Sequence, residues 1–263
     1  MKALWNDYVW GKQTLMQLAT QKDRSIEWVR SQLEKVVVEK KEIIPQPIVV
    51  IPDSTFWGRL YGVTVFRAPA LKKNIWWTEV TSETQAVYHY GRKILEEKGW
   101  TFLAAVVDGR RGLATVFKDI PVQICQFHQM KTVTKYLTRR PKTLAGKELR
   151  TIAITLPNST EKEFTALLRD WHTRWKGCIT EKTKVLGTKH WYYTHKNVRS
   201  AYKSLERNLP FLFTYQKYPE RNIPNTTNSL DGFFSQLKAR LSVHRGLRRD
   251  RRFKVISEIL GGE

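Results

Sequence analysis

Cysteine is nearly missing from this 263-residue chain, which has only Cys125 and Cys178. That excludes a disulfide scaffold and any multi-cysteine zinc module within it, and it fits a reducing, cytoplasmic setting. Long apolar runs are missing too. No stretch approaches the roughly 18 residues of a membrane-spanning helix. The N-terminal MKALWNDYVWGK turns polar too soon for a secretory signal. There is no internal repeat and no low-complexity segment. Acidic side chains are scarce: 24 Asp and Glu face 46 Lys and Arg, a formal charge of +22. Such an excess implies a polyanionic partner, nucleic acid rather than membrane.

Hydrophobic residues make up 41% of the chain, the share of a globular protein with a sizeable core. Ten tryptophans are many for this length; most belong to a core, and an exposed one would suit stacking on a base. Residues 1–43 read as a helical arm. Leu15, Leu18 and Ala19 are followed by a polar turn and then Ile26, Val29 and Leu33. Ser25 is placed to cap the later helix, and Asp23 holds a turn position where a left-handed backbone is tolerated. This is helix-turn-helix spacing, whose second helix can enter a major groove. Arg24, Ser25, Glu27, Trp28, Arg30 and Ser31 are then the candidate DNA contacts. Any small helical hairpin shares the spacing, so the charge of the whole chain carries much of this expectation.

Residues 44–140 read as β-β-β-α-β-α-β-α. PIVVIPD, RLYGVTVFRA and KKNIWWTEVT suggest an antiparallel meander. SETQAVYHYGRKILEEKG places Val87, Tyr90 and Ile94 at helical spacing and ends on Gly99, a natural C-cap. FLAAVVDG is a buried strand, RRGLATVFKD a short helix, PVQICQFH strand-like, and QMKTVTKYLTRR a basic helix. Residues 141–224 form a mainly helical, basic insertion carrying Trp171, Trp175 and Trp191. In 225–263 a last helix precedes a basic tail that includes Arg245.

Three segments each offer one carboxylate. Asp53 and Asp108 end apolar, β-branched runs, and Asp231 opens an amphipathic helix. In this strand order the first and fourth strands can lie side by side, so Asp53 and Asp108 can face one another. One Asp after an apolar run is usually a turn residue or cap; three in this order suggest metal ligands. Two divalent ions roughly 3.5–4 Å apart, held by such carboxylates, activate one phosphoester oxygen and stabilise the other. Asn225, Thr226, Thr227 and Asn228 supply capping side chains for the last helix. Lys238 lies two turns beyond Asp231 on the same face, where a cation can hold a phosphate. Stabilising the helix dipole would explain Asp231 but not Lys238. Cys125 and His128 form a Cys-x-x-His pair that lacks the ligands of a structural zinc site, so Cys125 reads as a small buried side chain.

The segments IPDSTFWG, VVDGRRGL, CQFHQMK and TTNSLDGFFSQLKARL, in this order, resemble RNase H-like DDE transposases. Within that superfamily the chain is similar to the Mutator-like transposases of bacterial insertion sequences. The likeness covers about residues 5–255, and the TTN…LDGFFSQLK block is its most specific part. It implies an RNase H-like mixed α/β sheet with a helical insertion. Asp53, Asp108 and Asp231 would hold two Mg²⁺ ions, with Mn²⁺ as a substitute, and His128 would lie near the scissile phosphate. The implied partners are double-stranded DNA, at terminal repeats and target, and a second copy of the chain; the implied setting is the bacterial nucleoid. Two departures stand out. The third acid is Asp where the family usually has Glu, so its helix must sit closer to the metals. A cysteine-rich segment common ahead of the helix-turn-helix is missing, which reads as a shortened frame. A non-catalytic DNA-binding protein and a simple nuclease are the rival expectations.

Overall fold

A computed structural model describes residues 1–39, 42–110, 112–244 and 246–262. They form two compact units, one of residues 1–101 with 228–263 and the other of 102–227.

The first unit begins with three helices: α1 (Lys2–Val9), α2 (Leu15–Lys22) and α3 (Ile26–Lys35). Thr14 and Gln17 form a capping box at α2. Asp23 ends that helix in the left-handed region (φ 49°, ψ 54°), and the Ser25 side chain caps α3. The turn is therefore built as its residue types suggest, with Leu18, Ala19, Val29 and Leu33 buried.

Next come β1 (Pro47–Phe56), β2 (Gly62–Ala68) and β3 (Lys73–Val80). They pair antiparallel in sequence order, as the meander pattern suggested. Strand β1 does not stop where its apolar run does. Asp53 pairs with Val65, and Ser54 and Thr55 continue the ladder against Thr64 and Val63. Asp53 is thus a mid-strand residue, not a strand-end one, because backbone pairing persists after hydrophobicity fails.

Helix α4 (Gln85–Glu97) closes on Gly99 at φ +90°. Its buried face is Tyr88, Gly91 and Leu95, not Val87, Tyr90 and Ile94; Tyr90 is exposed. Gly91 explains the shift. A Cβ there would come within 2.7 Å of both Phe66 and Trp76, so only the bare backbone admits these two rings, packed edge to face at 5.3 Å.

The second unit takes up β4 (Thr101–Val107), α5 (Leu113–Val116), β5 (Val122–Ile124) and α6 (Gln126–Leu137). Strands β4 and β5 run parallel. The former 141–224 insertion contains α7 (Leu144–Thr155), α8 (Glu161–Thr180), the β6–β7 hairpin (Lys182–Lys184 with Trp191–Tyr193), α9 (Lys196–Leu212) and α10 (Thr214–Lys217). It packs back onto this unit. Gln123 on β5 donates to the Leu212 carbonyl at 2.9 Å and accepts from the Tyr215 amide at 3.0 Å. Trp171 is fully buried and donates to the Ala145 carbonyl at 3.0 Å.

The chain returns to the first unit as α11 (Asn228–Ser242) and α12 (Arg249–Gly261). Much of the expected basic tail is therefore helix. Val255, Ile256, Ile259 and Leu260 are buried, and α12 packs on β3. Trp77 donates to Ser257 Oγ at 3.1 Å, and Asn74 donates to the Leu260 carbonyl at 3.0 Å. The arginines of RRDRR conceal an apolar face that becomes evident only beyond them.

Candidate functional site

In the first unit Asp53 is half-buried on β1, and its Oδ1 accepts the Ser54 amide at 2.8 Å. Beside it runs a polar chain that residue spacing did not disclose. Ser54 Oγ lies 2.7 Å from Thr64 Oγ1 and 2.9 Å from the Tyr88 hydroxyl, which donates to Glu83 at 2.6 Å. Burial pushes the Tyr88 phenol above its ordinary value, and the charges of Glu83 and Asp53 push it further. Asp231 is half-buried in the first turn of α11, which packs against β1. That helix buries Leu230, Phe233, Phe234, Leu237 and Leu241. The Arg67 guanidinium lies 5.3 Å from the Phe233 ring centroid, and Lys238 is exposed.

In the second unit Asp108 directly follows β4 and is half-buried. Its Oδ1 accepts the Arg110 amide at 2.9 Å, forming a local turn. Gly109 lies against a buried amide network. Asn208 donates to Gln129 Oε1 at 2.7 Å, and Gln129 donates to Ser204 Oγ at 3.2 Å. A Cβ on Gly109 would stand 2.8 Å from Asn208 Nδ2. Gln129 and Asn208 were missed because isolated amides in helices give no pattern; their pairing joins α6 to α9.

The Cys-x-x-His pair opens α6. The Cys125 amide donates to the Val107 carbonyl at 2.8 Å, tying the end of β4 to this helix. Cys125 is buried, as expected of a small apolar side chain, but its sulfur is also a hydrogen-bond acceptor. The Thr227 amide and hydroxyl both reach Sγ at 3.3 Å. Burial raises the thiol, yet hydrogen bonds with His128 and Thr227 outweigh it, so its pKa falls below the ordinary value. His128 Nδ1 is 3.2 Å from Thr227 Oγ1. The Asn225 side chain donates to Gln126 Oε1 at 3.0 Å. Asn225 and Thr227, expected to cap the last helix, thus turn toward the first turn of α6.

The candidate DNA contacts on the arm divide into two groups. Arg24, Trp28 and Arg30 are exposed, with the Arg24 guanidinium 5.9 Å from the Trp28 ring. The Ser25 hydroxyl accepts the Trp28 amide at 3.1 Å and is occupied as a cap. Arg245 lies outside the described residues. Among the tryptophans of the insertion, burial removes Trp171 from base stacking. Trp175 donates to Glu148 at 2.9 Å, while Trp191 is 48% exposed with Lys182 3.9 Å from its ring.

The carboxylates and amides described here are hard oxygen donors of the kind Mg²⁺ takes. Asp53 and Asp231 stand on elements that pack together. Among the described residues, however, no three His, Cys, Asp or Glu side chains are grouped to hold a metal ion. The donor chemistry fits that ion. No helix of the described residues is long and apolar enough to cross a membrane.

No protein-family model matches this chain, and no curated protein does. Among solved structures it is similar to the Drosophila P element transposase strand transfer complex, with a TM-score of 0.39 and 9% identity over 90% of this chain and 85% of that one. A likeness this slight bears on neither family nor function.

Proposed function

We propose that this chain is a DNA transposase of the Mutator-like, insertion-sequence type. It would cut the ends of its element and join the freed 3′-hydroxyls to target DNA. The observation that carries this reading is the placement of its acids. Of the eight Asp residues only Asp7, Asp53, Asp108 and Asp231 are half-buried, and the others are exposed. Asp7 belongs to α1. The other three are those expected from the sequence as metal ligands, in a chain of charge +22.

Two Mg²⁺ ions, or Mn²⁺ in their place, would supply Lewis-acid activation of water and of the leaving oxygen. Asp53, Asp108 and Asp231 would hold them. Gly109, lying against the Asn208–Gln129–Ser204 network, would hold the Asp108 turn in place. The Thr227 contact to Nδ1 orients the His128 ring, which would face the phosphate or the attacking water. Lys238 and Arg245, together with the arm bearing Arg24, Trp28 and Arg30, would hold DNA largely through phosphates. Two DNA ends joined in one reaction call for a homodimer on DNA.

A non-catalytic DNA-binding protein, which would keep the arm and the charge without needing the acids, is the second reading. Cleavage and joining of DNA bearing the flanking inverted repeats, with Mg²⁺ or Mn²⁺, separates the two. Asp108→Asn is expected to lower the rate by at least about a hundredfold, the effect of losing one strong electrostatic contact to the reaction. Binding without cleavage in the wild type would establish the second reading instead.

A further inference from the structure

We propose that a cavity of ≈ 680 Å³ in the first unit, lined by Arg30, Arg248, Arg251, His244 and Tyr8, binds the phosphate of a nucleotide, free or within a DNA strand. The volume lies within the usual range of small-ligand sites. Arg30 comes from α3, His244 follows α11, and Arg248 and Arg251 begin α12, so the cations gather from segments far apart in the chain. No Asp or Glu is among the lining residues. Arg251 pairs through Nη2 with Glu34, which is not a lining residue.

Two buried groups carry the argument further than charge alone. His244 is only 8% exposed, and neither ring nitrogen makes a hydrogen bond of normal geometry. Its imidazole centroid lies 4.1 Å from that of Tyr8. Burial lowers the ring's pKa, an effect only partly opposed by the Tyr8 backbone. Arg251 is 9% exposed, and its Nε also lacks a partner. The charges of Arg251 and Arg30 both act on the Tyr8 hydroxyl, which places them around the same space. Unpartnered buried donors are costly unless a ligand supplies acceptors. Guanidinium forks meet phosphate oxygens two at a time, and Leu15, Ile26 and Leu247 offer the apolar wall that a sugar and base require.

The test uses the full chain with histidine labelled for NMR. Its probes are deoxyadenosine 5′-monophosphate, deoxyadenosine, a short DNA duplex and sulfate. His244→Gln assigns the ring signals. The nucleotide or the duplex is expected to move the His244 signals and deoxyadenosine is not; a response to the duplex alone identifies backbone phosphate as the ligand. Arg30→Gln with Arg248→Gln, both at exposed positions, should weaken binding at least tenfold without changing the melting temperature. The proposal is overturned if neither phosphate probe moves His244, if the double variant binds as well as wild type, or if sulfate binds as tightly as the nucleotide. Because no cleavage is read, a protein inactive on DNA could still pass this test.

Discussion

Gly109 has no room for a methyl group. The added Cβ would press on Asn208 Nδ2, and Asn208 is itself buried and bonded to Gln129. Gly109→Ala should destabilise the protein by about 1–3 kcal/mol, the usual penalty of overpacking, read as a lower urea midpoint. Tyr88 makes a prediction about pH. Its folded pKa lies above the ordinary 10.0 because burial and two carboxylates disfavour the phenolate. An acid raised in this way contributes stability that is complete below the unfolded value and lost as pH rises through 10.0 toward the folded value. The stability of wild type should therefore fall more steeply above pH 10.0 than that of Tyr88→Phe, in paired denaturation curves. Parallel curves would mean that the Ser54–Tyr88–Glu83 chain does not carry this effect. Little of either residue's role could be read from its neighbours in sequence, since both depend on partners across the fold.

Helix α11 buries one face and exposes the other. Leu237 is fully buried, whereas Lys238 beside it is exposed. Leu237→Ala should cost about 2–5 kcal/mol through the cavity it leaves. Lys238→Ala should stay within about 0.5 kcal/mol of wild type, weaken DNA binding, and reduce the salt slope by about one; chemical denaturation and binding isotherms check the pair. Periodicity found this helix readily, because its apolar stripe repeats over several turns. In α4 it picked out Val87, Tyr90 and Ile94 by spacing, but apolar residues also lie on Tyr88–Gly91–Leu95, the face that is buried. The glycine that admits Phe66 and Trp76 decided between them. Helix α12 was read as a tail because its first turns are mostly arginine, and only Val255 onward reveals the stripe that covers β3.

For the molecule as a whole, the excess of 22 positive charges makes the strongest demand. DNA affinity should fall steeply with salt, by roughly a thousandfold or more between about 50 and 200 mM if six or more phosphates are neutralised. A flat dependence in fluorescence anisotropy would remove nucleic acid as the partner. Local chemistry was enough to assign the order of helices and strands over 44–140, the Asp23 turn, the Ser25 cap and the α/β class, because hydrophobic period, caps and backbone preferences act over a few residues. Packing alone placed Thr227 on Cys125 and His128, Asn208 under Gly109, and His244 among Arg30 and Arg251. Those groups are far apart along the chain, and their meeting depends on which buried faces fit together.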